Sequence, residues 1–273
     1  MKEFTKTIAI THGGIFHADD VFSTAFLKIL NPEIVVNRVY AVPAVTESDE
    51  SSIVYDIGFG PFDHHQDDSE VRKNGIPYAA FGLLWRAYGN LVLSKENQRK
   101  FDEIFIQPLD NSDNGGIIHS LYQAVSSFIP NWDENGNMDK AFEAAVEFAL
   151  GILNREFKRL NSAEKAEQLI TEALISSDGE IVVLESFAPW QEVLVPSSAK
   201  FVVFPSQRGG YNAQAIPTAV DGRDQKVPFP KEWVGADPGS ILKGLTFVHP
   251  GRFLVATDTK EVAIAACKLA IKY

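Results

Sequence analysis

Four of the six histidines of this 273-residue chain fall in two short strings, THGGIFHADD (11–20) and YDIGFGPFDHHQ (55–66), each also rich in aspartate. Imidazole nitrogens and carboxylate oxygens are the donors that hard and borderline divalent cations take. In the first string His12, His17 and Asp19 lie across a Gly13-Gly14 turn, whose backbone freedom can aim them at one point. Asp20 reads as the cap of the helix that follows. The second string offers Asp56 at a strand end and then, past Gly-Phe-Gly-Pro, Asp63, His64 and His65. Neighbouring residues on a strand face opposite ways, so His64 and His65 serve one site only where the chain turns. A third string, PLDNSDNGG (108–116), adds Asp110 and Asp113. Alone it reads as an Asx-type turn; beside the other two it joins the site.

The elements that must position these groups follow from periodicity. β-branched runs at 7–11, 34–39 and 53–57 predict strands, and the apolar spacing of Val21, Phe22, Ala25, Phe26 and Ile29 predicts a helix over 19–30. A β-α-β-β opening of this kind points to an α/β sheet fed by crossovers. Helices are expected at 78–88, 95–105, 118–128 and from 138 to about 177. Strands at 181–184, 200–204 and 211–216 and a helix over 260–271 then form a second, smaller α/β unit. The expected division is 1–178, a catalytic domain with a parallel sheet flanked by helices, and 179–273, a substrate-binding domain.

Composition bounds the function. With 45% hydrophobic and 22% charged residues the chain is an ordinary globular one. The N-terminal apolar run is too short for a secretory segment and no stretch reaches membrane-spanning length, so the reading is cytoplasmic, with no membrane partner. Cys267, the single cysteine, is expected buried and inert in the last helix. A net charge of −11 argues against a general nucleic-acid coat and against duplex DNA, since non-specific affinity rests on dense Lys and Arg. Phosphate must be met locally, by Arg208 beside Gly209 and Gly210, by Arg223, and by His249 and Arg252. Phe16, Phe62 and Trp85 adjoin the motifs but read as packing residues rather than stacking platforms.

The HxGxxHxDD loop, the strand-end Asp56, FDHHQ and the DNSDNG string together resemble the Myg family, relatives of the DHH phosphoesterases. GLLWRAYG (82–89), GGYNAQAIP (209–217), PKEWVG (230–235) and FVHPGRF (247–253) extend the resemblance over nearly the whole chain. It implies a DHH-like N-terminal domain holding two divalent metals, usually Mn²⁺, with Mg²⁺ or Zn²⁺ also compatible with this donor set. It implies His12, His17, Asp19, Asp56, His64 and Asp110 as ligands, with Asp56 bridging, and Asp56, His64, His65 and Asp113 as the catalytic group. Asp63 is expected to orient a histidine. His17 stands where many DHH enzymes carry a carboxylate, which lowers the negative charge around one metal. The activity implied is a 3′–5′ exonuclease on single-stranded RNA that uses a metal-activated water. Two alternatives stand beside it: hydrolysis of short oligonucleotides or of small phosphate esters and anhydrides, and a non-catalytic metal- or nucleotide-binding module.

Overall fold

The β-branched run at the start of the chain pairs on both sides. Strand β1 (Ile8–His12) is followed by helix α1 (Ala18–Leu30), β2 (Val35–Val39) and β3 (Ser52–Val54), and β1 hydrogen-bonds in parallel to β2 and to β3. This computed structural model describes residues 4–44 and 49–273; residues 1–3 of the N-terminal stretch lie outside them. With the order β2-β1-β3, the sheet grows to one side of β1 and then to the other. Such a switch opens a crevice at the carboxyl ends of the strands, the usual seat of a ligand in parallel sheets. His12 ends β1, and Asp56 lies two residues past β3.

Helices α2 (Ala80–Tyr88), α3 (Lys95–Phe101), α4 (Gln107–Asp113), α5 (Ser120–Ser126) and α6 (Met138–Ile175) follow. α1 is buried on every side from Ala18 to Leu27, and Val21, Phe22, Ala25 and Phe26 are fully enclosed. Phe26 meets Trp85 at a centroid distance of 5.2 Å, and Trp85 meets Phe101 at 5.0 Å and Phe157 of α6 at 5.5 Å. These rings form the centre of the first core. Phe16 and Trp85 are buried and Phe62 packs against Tyr88, as packing residues should.

The expected turn at 108–116 is instead helical as far as Asp113. α3 and α4 are joined by a wide, π-type turn, Asp102–Ile106, in which the Gln107 N–H reaches back five residues to the Asp102 carbonyl. The wider turn accommodates Pro108, which has no N–H and whose ring would crowd the carbonyl four residues earlier in a regular helix. β3 also stops before its expected end, because Asp56 turns to φ +57°.

The chain divides between Asn161 and Ser162, inside α6. In the second unit come β4 (Ile181–Val183), α7 (Gln191–Leu194), β5 (Phe201–Pro205), β6 (Tyr211–Ala215), α8 (Pro238–Ile241), β7 (Leu245–Val248), β8 (Leu254–Thr257) and α9 (Lys260–Lys272). The mixed sheet β4-β5-β6-β8-β7 is parallel only between β4 and β5. Alternate residues feed two cores: Phe201, Val203 and Ala213 pack with Ala263 and Cys267 of α9, while Val202 and Phe204 pack with Trp190 and with Ala166 and Ile170 of α6. That packing draws residues 162–178 into the second unit. The β7–β8 hairpin was not among the predicted strands. Cys267 is fully buried, and burial raises its thiol pKa.

Phe157 is 6% exposed and closes the ring cluster of the first unit. Phe157→Ala should cost about 3–5 kcal/mol, from lost transfer energy and the cavity left behind. Denaturant unfolding followed by tryptophan fluorescence would show it; an unchanged midpoint would contradict this packing.

Candidate metal centre

The crevice at the ends of β1 and β3 gathers residues from all three motif strings. His12 leaves β1 with its Nδ1 3.2 Å from the Gly13 carbonyl and its Nε2 3.3 Å from Asp20 Oδ2 and 3.2 Å from Asp56 Oδ2. The Gly13–Gly14 turn is held from behind by Arg38, whose guanidinium donates to the Gly14 carbonyl, pairs with Asp139 and lies 4.4 Å over the Phe142 ring. His17 starts α1, and its N–H donates to Asp20 Oδ1 at 2.8 Å. His17 and not Asp20 is the cap residue: Asp20 sits at the third position of α1, reaches back to the His17 N–H with one oxygen and turns the other toward His12. Asp19 accepts from the Ala80 and Phe81 N–H groups at the start of α2, where the helix dipole favours a carboxylate.

His64 is the hub of the other half. Its Nε2 lies 3.2 Å from Asp56 Oδ1, 3.3 Å from Asp113 Oδ2 and 4.0 Å from Asp19 Oδ2. Its Nδ1 is 3.3 Å from Asn114 Oδ1, and the Asn114 amide NH2 is committed to the carbonyls of Tyr78 and Asp110. The Asn114 oxygen can then only accept, so Nδ1 carries the hydrogen and Nε2 faces the carboxylates. The chain does turn at 64–65: the two rings lie 4.4 Å apart, and His65 Nδ1 sits 2.7 Å from Asp63 Oδ1. The same carboxylate accepts from the His64, His65 and Phe59 N–H groups, so Asp63 fixes both the loop and the His65 ring.

Among the described residues three groupings bring potential ligand atoms within 4.8 Å of one another: His12, Asp20, Asp56; Asp56, His64, His65; and Asp19, His64, Asp113. Asp20 Oδ2, Asp56 Oδ1 and His64 Nε2 are buried without a hydrogen-bond partner. Asp20 Oδ2 lies 3.3 Å from His12 Nε2 and Asp56 Oδ1 lies 3.2 Å from His64 Nε2, ion-pair distances without hydrogen-bonding geometry. Divalent cations held by these groupings would satisfy them, and with nitrogen and oxygen donors and no sulfur the set suits hard or borderline ions.

Two expected ligands lie outside these groupings. His17 stands beside His12 with ring centroids 5.9 Å apart and stacks on Tyr122. Asp110 is fully buried one helical turn before Asp113, where Arg72 meets it at 2.7 Å and Asp102 at 3.0 Å. Gly82 makes room for that pair, since a Cβ there would fall within 2.0 Å of Asp110 Oδ2. Asp113, expected in the catalytic group and not among the ligands, is the carboxylate that reaches His64. In the second unit Arg208 is exposed in the β5–β6 turn with Gly209 and Gly210 at positive φ. Gly210 is there for packing, because a Cβ would strike the Thr257 carbonyl; Gly209 faces open space. His249 and Arg252 lie in the β7–β8 turn, with His249 Nδ1 accepting from the Gly251 N–H and Arg252 Nε donating to the Phe229 carbonyl. Because β7 runs antiparallel to β8, and β8 to β6, the two turns lie at opposite ends of the sheet. The structure does not bring these cations together, and Arg223 stays exposed in a loop.

Protons compete with a cation for this centre. Burial opposes charge on His12, but Asp56 and Asp20 overcome it and push the imidazole up to about 9. His64 is likewise driven up to about 11 by Asp113 and Asp56 against burial. Burial and then Asp56 raise Asp19, and burial raises Asp20 to about 7, whereas the two histidines outweigh burial at Asp56 and hold it near 2. Groups with raised pKa values hold protons near neutrality, and each proton must leave as a cation enters. Divalent-ion affinity should therefore rise with pH as Asp20 and then His12 give up their protons. The gain in melting temperature on adding Mn²⁺ should be larger at about pH 8 than at about pH 6; an equal gain would contradict competition at these atoms. Asn114→Ala should weaken Mn²⁺ binding by about 10- to 100-fold through loss of the His64 orientation, read by titration calorimetry. Unchanged affinity would remove Asn114 from that role.

Comparison with known proteins follows the same residues. No solved structure matches the chain. A MYG1 exonuclease of Rattus norvegicus is 28% identical over 93% of this chain and 82% of its own length. A MYG1 protein of Chlamydia trachomatis is 27% identical over 96% of both chains, and one of Dictyostelium discoideum 25% over 93% of both. A family profile described as Uncharacterised protein family (UPF0160), MYG1_exonuc, matches residues 8–271, from β1 to α9 and through every motif of the centre, so the chain belongs to the Myg family.

Proposed function

We propose that this chain is a metal-dependent phosphodiesterase that trims single-stranded RNA from the 3′ end, using two divalent cations, Mn²⁺ foremost. The observation that carries the reading is Asp56, whose Oδ2 lies 3.2 Å from His12 Nε2 and whose Oδ1 lies 3.2 Å from His64 Nε2. One carboxylate thus faces two ligand groupings. His12 and Asp20 would hold one ion, and Asp19, His64 and Asp113 the other, with Asp56 shared. His17 stands beside His12 and would flank the first ion, and Asp110 supports α4 through Arg72. Bound there, such ions supply Lewis-acid stabilisation of phosphate oxygens and lower the pKa of water.

The protein's own groups do the rest. Asp63 fixes the His65 ring at Nδ1, which leaves Nε2 to hold or deliver a proton at the substrate. The cavity over the centre, about 370 Å³ and lined by His12, His17, Asp56, Asp63 and His65 with apolar neighbours, suits a single nucleotide at a chain end more than the middle of a strand. Arg208, at the edge of a groove of about 650 Å³ in the second unit, is the cation that this reading assigns to the substrate backbone. The exonuclease names of the mammalian relatives support the reaction class. The net charge of −11 favours short or single-stranded substrates over duplexes, which attract by charge density.

The test is Mn²⁺-dependent digestion of an oligoribonucleotide labelled at the 3′ or the 5′ end, with Asp19→Ala and Asp56→Asn as controls. Stepwise shortening from the 3′ end, absent in both variants, is the expected result. Turnover of inorganic pyrophosphate without shortening of RNA would place the reaction on small phosphoanhydrides instead.

A further inference from the structure

Two large apolar side chains stand uncovered at the candidate centre. Ile15 and Phe59 line the same cavity as His12, His17, Asp56 and His65, yet they are 60% and 72% exposed. Phe59 is also one of three described non-glycine residues at positive φ, at +57°. A bulky side chain rarely adopts this conformation, and it persists only where neighbouring contacts impose it. Here the contact is the Phe59 N–H on Asp63 Oδ2 at 2.7 Å, while Asp63 Oδ1 holds the His65 ring. One buried carboxylate thus places an exposed aromatic ring and an imidazole together at the rim of a polar floor. Such a lining, with ligand atoms below and an aromatic face above, complements a molecule that carries a phosphate and a flat apolar ring.

We propose that Phe59 is the platform on which the nucleobase adjoining the scissile phosphate stacks, which makes nucleotide phosphodiesters of any sequence, rather than bare phosphoanhydrides, the substrate class. This rests on the phosphodiesterase reading above. Every base presents a π face, so the contact discriminates base from no base and not one base from another. Ile15 covers the cavity from the first motif loop.

The experiment measures binding by fluorescence anisotropy. A labelled tetraribonucleotide and the same tetramer lacking its 3′-terminal base are titrated, without metal and with Ca²⁺, against wild type, Phe59→Leu and Phe59→Tyr. Wild type and Phe59→Tyr should prefer the base-bearing tetramer by about tenfold, and Phe59→Leu should lose that preference while binding the abasic tetramer as wild type does. Equal affinity of wild type for the two tetramers, or a preference retained in Phe59→Leu, would overturn the stacking role. In that case continued 3′ trimming by wild type would leave the phosphodiesterase reading standing. If wild type neither binds nor trims either tetramer but turns over pyrophosphate, both fall. A wild-type melting temperature in both variants shows that the fold is intact.

Discussion

Everything in the first unit answers one electrostatic problem: Asp19, Asp20 and Asp56 are buried, and Asp113 nearly so, around two histidines. Carboxylates this close repel, and in a low-dielectric crevice the repulsion is costly. Backbone N–H groups therefore stabilise two of them, and imidazoles stand at ion-pair distance from the others. Two N–H groups at the start of α2 take Asp19, the His17 amide takes Asp20, and the two imidazoles take Asp56. The parallel sheet supplies the geometry, since the switch in strand order at β1 is what lets His12 and Asp56 face each other across adjacent strand ends.

A second layer keeps that cluster in register from behind. Arg38 holds the Gly14 carbonyl, Asn114 holds His64, Asp63 holds His65, and Arg72 joins Asp102, Asp110 and the Pro77 carbonyl while lying 3.8 Å over the Tyr78 ring. Each is anchored partly by backbone or packing, so the imidazoles and carboxylates inherit the rigidity of the core.

Much of this was legible in the residues themselves. The three strings name the site because histidines and aspartates cluster in sequence where strands end, and the ring-rich helices show their buried faces by spacing. The exchange between Asp110 and Asp113 was not legible. PLDNSDNGG has turn composition, and only the π-type turn before it keeps the segment helical and sets Asp110 one turn below Asp113. The second role of Asp20 was hidden because its bond to the His17 N–H uses one oxygen and sequence cannot say where the other points. The β7–β8 hairpin was missed although Pro250-Gly251 marks its turn; what no residue type announces is Arg252 at φ +61°. Arg208 and Arg252 were both assigned to phosphate, and only the strand order shows that their turns lie at opposite ends of the sheet.

The wide turn at Asp102–Ile106 amounts to one residue more than a regular helix would need between α3 and α4. A helix advances by about 100° per residue, so that surplus residue sets the azimuth of everything after it. Arg72 touches both sides of the step, Asp102 before it and Asp110 after it. The length of this segment therefore matters as much as its composition: Glu103 and Ile104 are exposed, but removing one residue would swing Asp110 off Arg72 and Asp113 off His64 in a single motion.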